Sequence, residues 1–362
     1  MKVGILTFHN AINYGAVLQA FATQELVRSL GHDVEVIDYH NAEIDRSYDR
    51  LRFHLSQMPR KNLYGALKYM LRCALFCFRR RAFELFSKRH LSLGRRFRQS
   101  ESFSLDGYDV ILIGSDQLWN PVLTGGYDNV YWGNFPSNRP VKRVAWSVCM
   151  NQTALSEEEK GYIKDHIRRF DAISVREDSL ESLLAPYYPG CIRVTPDPTL
   201  LLRRSRWEQL CRPVPEKNYI AVYAVVLQEE TFQAAQKIAG DTGKSIVYLH
   251  AYSESNIRKG HKQASGPKAF LSYLKGADEV VTSSFHGAAF SVIFGKTFYC
   301  VEEENKDNIR VRDLLQKMDI TPERYDTKGF RVSKCRPDQA DLTENVHVKK
   351  GLEFLSTCLR ER

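Results

Sequence analysis

The chain has 362 residues, of which 43% are hydrophobic and 26% are charged. This composition is typical of a globular protein and excludes a disordered or low-complexity chain. Because one hydrophobic core rarely grows beyond about 300 residues, we expect two domains. The formal net charge is +9, and much of it lies between residues 46 and 98. That segment is either a contact for an anionic surface or a solvated helical face.

The first residues form a strand-like run without the charged head, apolar stretch and small-residue cleavage site of a signal peptide. The eight cysteines include no Cys-x-x-Cys pair and no Cys/His group with the spacing of zinc ligands. We therefore expect a cytoplasmic chain with reduced thiols, no metal site and activity that is insensitive to chelators.

The N-terminal half begins with a strand at residues 2–8, a helix at 16–30 and a second strand at 34–39. This βαβ unit predicts a parallel sheet with a right-handed crossover. Residues 43–105 show long helical patterns without a clear strand, which predicts a basic helical insertion. The sheet then resumes, with strands at 109–114, 144–147 and 172–176 and a helix at 157–170.

The second half repeats this alternation, with strands at 219–226, 245–249 and 279–283 and helices at 230–242, 267–275 and 287–294. A proline-rich stretch at 186–218 marks the crossing between domains. We therefore predict an α/β protein with an N-terminal domain at 1–200 and a C-terminal domain at 201–362 that ends in a helix. In such folds ligands bind at the carboxyl ends of the strands, so we expect the domains to face one another across a cleft.

Two polar loops follow strands of the first domain. Asn13 and Gly15 lead into a helix N-terminus, which is either an anion site or only a turn and cap. Asp116 and Gln117 are placed to hold sugar hydroxyls, and Trp119 offers a stacking face. In the alternative interpretation, Trp119 belongs to the core and Asp116 caps a helix.

Two further loops carry an arginine and a histidine. Arg176 ends a strand, and its planar guanidinium suits a carboxylate or phosphate. Alternatively it pairs with Glu177 or Asp178 at the surface. His286 begins a helix after the strand at 279–283, where it is either an acid–base group near neutral pH or a structural histidine.

Together these segments resemble the polysaccharide pyruvyltransferase family in order and content, over residues 1 to about 325. The segments that carry the resemblance are 4–8, 13–20, 37–39, 114–121, 173–177, 197–199, 284–287, 308–310 and 313–315. The resemblance implies a glycosyltransferase-B-like arrangement of two Rossmann-like domains. It also implies phosphoenolpyruvate as donor, a carbohydrate as acceptor and no further cofactor.

The resemblance also assigns residues. His286 matches the family's catalytic histidine, Arg176 an arginine associated with donor binding, and Arg310 a further recurring arginine. Many members have Ser-Arg-Leu-His at positions 283–286, so Ser284 stands where an arginine would contact the donor. Either Arg176, Arg310 or a lysine such as Lys306 supplies that charge, or this branch of the family uses a different donor. We expect the first.

These assignments define an expected site and reaction. His286 and Asp116 are the catalytic candidates. Donor binding is expected from Arg176, Arg310, Ser284, Asn13 and Gly15, and acceptor binding from Gln117 and Trp119. Two hydroxyls of a surface polysaccharide, or of its lipid-linked precursor, receive the pyruvyl group as a ketal and phosphate is released.

The basic insertion then has a candidate partner, because residues 63–78 are either an interfacial helix at the inner membrane face or an ordinary buried helix. The main alternative function is a nucleotide-sugar-dependent glycosyltransferase of polysaccharide synthesis, because the same fold serves a sugar diphosphate. A nucleic-acid-binding protein is disfavoured, because the arginines are concentrated in one insertion and we recognise no nucleic-acid module.

Overall fold

The computed structural model describes residues 1–49, 62–99, 104–225, 228–251, 260–302, 309–327, 330–337 and 342–360. The chain forms two compact units. Unit 1 comprises Met1–Asp49, Ser87–Leu202 and Leu342–Arg362, and unit 2 comprises Arg50–Phe86 and Arg203–Asp341. The described helices are, in chain order, α1 (Tyr14–Ser29), α2 (Ala42–Asp49), α3 (Leu63–His90), α4 (Pro121–Thr124), α5 (Glu157–His166), α6 (Asp178–Leu184), α7 (Pro198–Leu201), α8 (Arg204–Glu208), α9 (Glu229–Thr242), α10 (Pro267–Gly276), α11 (Phe285–Ile293), α12 (Ile309–Lys317) and α13 (Val346–Cys358).

Unit 1 contains a parallel sheet in the order β3-β2-β1-β4-β5-β6-β7, the strand order of a doubly wound fold. Its strands are β1 (Lys2–Leu6), β2 (Asp33–His40), β3 (Leu93–Arg98), β4 (Val110–Ile113), β5 (Lys142–Val148), β6 (Ala172–Val175) and β7 (Ile192–Val194). The central strand β4 is buried throughout because each of its side chains is aliphatic. Helix α1 packs against β2 and α7, so most of its residues are buried as well.

Unit 2 contains a second sheet in the order β10-β9-β8-β11-β12-β14-β13, parallel from β10 to β12 and antiparallel at β14 and β13. Its strands are β8 (Tyr219–Ala224), β9 (Ser245–His250), β10 (His261–Lys262), β11 (Glu279–Thr282), β12 (Thr297–Val301), β13 (Glu323–Tyr325) and β14 (Val332–Cys335). Ile220, Val222 and Val281 belong to its core. The prediction of two Rossmann-like α/β units is confirmed, and their facing arrangement across a cleft stays a prediction.

The division of the chain differs from a simple cut near residue 200. Helix α13, expected in the C-terminal domain, belongs to unit 1, where Gly351 lies against Leu201 and Pro196. The segment 43–105 also contains β3, so the expectation of no strand there was wrong. The side chains of β3 are mostly exposed at the sheet edge, and the hydrophobic alternation that marks a strand is therefore missing.

Helix α3 contributes its residues up to Phe86 to unit 2, although the insertion was expected in the first domain. Arg79, which lies in the basic insertion, is fully buried. It donates through Nη1 to the backbone oxygen of His250, and its guanidinium lies 5.1 Å from the ring centre of Phe83. The burial of Arg79 therefore contributes to the packing of unit 2. None of the described helices is long and apolar enough to span a bilayer.

Candidate functional site

In unit 1, β4 ends in a turn whose backbone only glycine permits. Gly114 has φ +137, and a Cβ there would collide with the backbone oxygen of Trp146. Asp116 follows with φ +77, and its Oδ1 accepts the N–H of Gln117 at 3.0 Å. The cap of α4 is instead Asn120, whose Oδ1 accepts the N–H of Val122. Asp116 and Gln117 are thus half-buried at the carboxyl edge of the sheet.

A buried polar network joins the ends of four strands in this unit. Arg176 donates through Nε to Ser115 Oγ (2.9 Å) and to the backbone oxygen of Ser147 (3.1 Å). Its Nη2 forms an ion pair with Asp197 Oδ2 at 2.6 Å. Asp197 Oδ1 accepts hydrogen bonds from the N–H and the hydroxyl of Thr199, at 2.8 and 2.7 Å. The network joins the loops that follow β4, β6 and β7 to the last residues of β5.

The ion pair changes the interpretation of Arg176. Burial lowers the pKa of Arg176, but the surrounding acidic groups, of which Asp197 and then Asp116 act most strongly, raise it by more, so the group stays charged. Arg176 is buried and pairs with the buried Asp197, so its expected location at the surface was wrong. The positive charge of Arg176 is therefore already matched within unit 1, and its contact with a donor stays a prediction.

Asn13 caps helix α1, and Gln19 within this helix forms hydrogen bonds to residues at the ends of two strands. Asn13 Oδ1 accepts the N–H of Ala16 at 3.3 Å, so Asn13 is the N-cap of α1, and Gly15 is buried in its first turn. Gln19 donates to Thr7 Oγ1 at 2.6 Å and accepts the N–H of Ser115 at 3.1 Å. We did not predict this role for Gln19, because an isolated glutamine in a helical pattern gives no signal of the strand ends it joins.

Trp119 does not provide a stacking face for an acceptor. Its side chain is fully buried and stacks on Trp132, with ring centres 4.3 Å apart. The indole N–H donates to the backbone oxygen of Tyr131 at 2.9 Å. The acceptor-binding prediction for Trp119 was therefore wrong, and the alternative that it belongs to the core is correct.

In unit 2, the turn from β11 into α11 is held by Thr282. Its Oγ1 donates to the backbone oxygen of Tyr223 at 2.6 Å and accepts the N–H of Ser284 at 3.0 Å. A Cβ at Gly287 would collide with Thr282 Oγ1, so only glycine allows this close approach. We did not predict the part played by Thr282, because a threonine at the end of a strand is common in any sheet.

Ser284 and His286 occupy the first positions of α11. Ser284 is the N-cap, and its hydroxyl makes no capping hydrogen bond. His286 lies in the first turn and is 8% exposed, with its ring centre 5.1 Å from that of Phe285. The first backbone N–H groups of a helix have no partner within it, so this end favours an anion.

Arg310 lies at the start of α12, which packs against α11. Since β11 and β12 are parallel neighbours, the loops that follow them lie at the same edge of the sheet. Arg310 is half-buried and forms no ion pair with another residue in the described parts of the chain. The structure thus groups Ser284, His286 and Arg310 in unit 2, whereas Lys306 is outside the described residues.

Two α/β units with polar loops at the carboxyl edges of their sheets define a class of protein whose sites lie at strand ends. Within that class, the chain belongs to the polysaccharide pyruvyl transferase family, whose family model matches residues 13–305. A comparison with curated protein sequences finds no match.

Solved structures give similarities in fold alone. The UDP-GlcNAc 2-epimerase of Methanocaldococcus jannaschii is 10% identical, with 82% of this chain and 83% of that chain covered and a TM-score of 0.40. The UDP-GlcNAc 2-epimerase of Neisseria meningitidis bound to UDP-GlcNAc is 11% identical, with 82% and 81% covered and a TM-score of 0.41. An alpha-glucosyltransferase in complex with UDP is 11% identical, with 82% and 80% covered and a TM-score of 0.45.

Proposed function

We propose that this chain transfers the pyruvyl group of phosphoenolpyruvate to two hydroxyls of a sugar in a surface polysaccharide or in its lipid-linked precursor. The product is a cyclic ketal, and inorganic phosphate leaves. The observation that carries the proposal is the match of the family model to residues 13–305, which include the turn with His286.

Donor binding is assigned to the edge of the unit 2 sheet. Phosphoenolpyruvate carries a carboxylate and a phosphate, so its site needs cationic and N–H groups in place of water. The N-terminus of α11 offers backbone N–H groups and the positive end of the helix dipole. Arg310 supplies the charge that many family members place at the position of Ser284. The matched charge of Arg176 makes Arg310 the stronger candidate for direct contact.

His286 is the proton-transfer group of the proposed reaction. The methylene carbon of phosphoenolpyruvate takes a proton and becomes a methyl group, and the neighbouring carbon gains cationic character. One sugar hydroxyl adds there, the bond to phosphate breaks, and the second hydroxyl closes the ketal. The two hydroxyls release two protons, of which one replaces the proton given to the methylene carbon and the other leaves on the phosphate. A histidine suits this exchange because it gives and takes protons near neutral pH.

In unit 1, Asp116 and Gln117 are the proposed contacts of the sugar acceptor, because both are half-buried at the edge of the sheet. Asp116 would orient or activate an attacking hydroxyl. Asn13 and Gly15 retain a proposed part in donor binding through the N-terminus of α1.

We also propose a peripheral contact with the inner face of the cell membrane, where a cytoplasmic enzyme meets a lipid-linked acceptor. Helix α3 presents an exposed apolar stripe, which consists of Leu63, Tyr64, Leu67, Met70 and Phe78. Basic side chains accompany it, among them the exposed Arg81 and the half-buried Arg72. Exposed apolar residues with basic neighbours are the features of a helix that lies in the membrane interface.

The proposed donor is tested by thermal unfolding of the purified protein with phosphoenolpyruvate, phosphate, pyruvate or nucleoside diphosphates. We expect only phosphoenolpyruvate to raise Tm in the wild type, since a ligand that binds the folded state alone stabilises it. Arg310→Ala should lose this shift, and Arg324→Ala, which removes an exposed arginine of the same unit, should keep it. A shift with a nucleoside diphosphate alone would instead support a glycosyltransferase.

A further inference from the structure

A cluster of metal-ligating side chains lies outside the residues used above. His9 follows β1, and Asp38 and His40 lie at the end of β2, so all three are at the carboxyl edge of the unit 1 sheet. The Nε2 atoms of both histidines face the same oxygen, Asp38 Oδ1, at 2.8 and 2.9 Å. One ligand atom from each of the three residues lies within 4.8 Å of the others.

The other ring nitrogen of each histidine faces an acceptor. His9 Nδ1 lies 3.2 Å from the backbone oxygen of Thr7, and His40 Nδ1 lies 2.9 Å from Asp45 Oδ2. Asn10 Nδ2 lies 3.1 Å from the same His40 nitrogen and donates to Asp45 Oδ1 at 2.9 Å. When both histidines are neutral with the proton on Nδ1, which then donates to Thr7 and Asp45, the lone pair of each histidine is on Nε2. In the metal-free chain each Nε2 lies within hydrogen-bond distance of Asp38 Oδ1, so a cation would replace the proton at these contacts.

The second oxygen of Asp38 is held separately. Asp38 Oδ2 accepts from Arg96 Nε at 2.8 Å, which leaves Oδ1 directed towards the two imidazoles. Metal-binding histidines usually donate their other N–H to a carboxylate or a backbone carbonyl, and bound carboxylates are themselves hydrogen-bonded. All three side chains of the cluster have such supporting contacts.

We propose that His9 Nε2, His40 Nε2 and Asp38 Oδ1 bind a divalent transition-metal cation, with Zn²⁺ as the first candidate. Two imidazoles and one carboxylate are a ligand set that zinc accepts, and three protein ligands leave a position for water or a substrate oxygen. The sequence predicted no metal site, because these ligands are spread over two strand ends and have none of the usual zinc spacing. The proposal concerns metal binding and is independent of the proposed donor.

Protons compete with the cation for the same atoms. Metal binding needs neutral histidines and therefore releases protons, so apparent affinity should increase with pH.

The experiment uses the full chain after treatment with a chelator and dialysis. We expect calorimetric titration with Zn²⁺ to give one site per chain, and Co²⁺ to give the visible absorption of a nitrogen-coordinated ion. Asp45→Asn should weaken binding about 10- to 100-fold. His9→Gln, His40→Gln and Asp38→Asn should each weaken it by more than Asp45→Asn.

His261→Ala is the matched control, because His250 and His261 form a second histidine pair in unit 2, with 2.7 Å between His250 Nε2 and His261 Nδ1, apart from the cluster of His9, Asp38 and His40 in unit 1. Binding should be unchanged in this variant. Circular dichroism and thermal unfolding without metal check that each variant is folded. An absence of binding in the wild type, or unchanged binding in folded His9→Gln/His40→Gln, overturns the proposal. Loss of binding in His261→Ala alone would also overturn it.

Discussion

The buried pair of Arg176 and Asp197 provides a measurable test at the scale of single residues. Removing one partner of a buried ion pair leaves an unmatched charge and typically costs about 3–5 kcal/mol. We therefore expect Arg176→Met to lower the free energy of unfolding of unit 1 by that amount. Tryptophan fluorescence during urea unfolding measures it, since Trp119, Trp132 and Trp146 are all in this unit.

The matched control for this pair is Arg46→Met, which removes an exposed arginine paired with Glu43 on α2. An exposed pair contributes about 1 kcal/mol or less. The double variant Arg176→Met/Asp197→Leu should recover part of the lost stability, because no charge is left buried. If Arg176→Met costs no more than Arg46→Met, the network does not fix the strand ends as we describe.

His286 is expected to carry proton transfer. His286→Gln should lower kcat by about 10²- to 10⁴-fold, the usual contribution of an acid–base group, while the KM for phosphoenolpyruvate changes little. Phosphate release with a sugar acceptor measures both constants. His166→Gln, which changes a half-buried histidine stacked on Tyr162 in unit 1, should keep full activity. Near-normal kcat in folded His286→Gln would return this residue to a structural role.

His250 should make the stability of unit 2 depend on pH. Burial, then the neighbouring His261 and Arg79, lowers the pKa of His250 to about 4. Because this value is below that of an unfolded histidine, about 6.5, the unfolded chain binds the proton more tightly. The associated stability is complete above about pH 6.5 and is lost as the pH falls towards 4. The loss should reach about 3 kcal/mol at most.

The pH effect is measured by hydrogen exchange of β8 and β9 amides between pH 4 and 7, corrected for intrinsic rates. His250→Asn should remove the pH dependence, and His32→Gln, a change in unit 1, should not. Equal pH dependence in wild type and His250→Asn would show that another group causes it.

At the scale of elements, the exposed stripe of α3 predicts binding to membranes. We expect the wild-type protein to sediment with anionic liposomes at low salt, and Leu67→Glu/Phe78→Glu to lose most of this binding. The substitutions place charge where apolar side chains would enter the interface. Val122→Glu is the control, because Val122 is also an exposed apolar residue but lies on α4. Equal retention of the wild type and the α3 variant would remove the proposed membrane contact.

The burial of each element decides whether the sequence could predict it. Strands β1, β2, β4, β8, β9 and β11 were predicted close to their observed positions, because buried strands of parallel sheets are short apolar runs. β3 was missed because an edge strand with exposed arginines lacks that pattern. The burial of Arg79 was also missed, because an arginine in a helix usually faces solvent and nothing in the sequence marks this one as buried.

The sequence predicted which loops carry the site residues, but not which side chains those residues contact. The strand-end rule located Asp116, Arg176 and His286 at sheet edges, because each follows an apolar run. The sequence could not reveal that Arg176 pairs with Asp197, since the contact joins two strand ends and either acid beside it was equally plausible. Trp119 was misassigned because a tryptophan after a strand is compatible with both the core and a binding face.

At the scale of the whole molecule, the proposed donor contact at Arg310 and the proposed cation site lie in different units, so each can fail without the other. Phosphoenolpyruvate should slow hydrogen exchange at the start of α11 and of α12 in unit 2. Zn²⁺ should slow it around residues 9 and 38–40 in unit 1. A ligand at a concentration of about 100 times its Kd stabilises the folded state by about 2.7 kcal/mol. Amides that exchange only when the whole unit unfolds should then exchange clearly more slowly in the unit that binds the ligand.

Hydrogen exchange with mass spectrometry, in the presence of each ligand alone, makes this comparison. Arg310→Ala should lose the effect of phosphoenolpyruvate and keep that of Zn²⁺, whereas His40→Gln should do the reverse. Protection by phosphoenolpyruvate confined to unit 1 would contradict donor binding at Arg310 and direct attention back to Arg176 and the start of α1. Protection by Zn²⁺ that survives in His40→Gln would show that the cation binds elsewhere, whatever the donor proves to be.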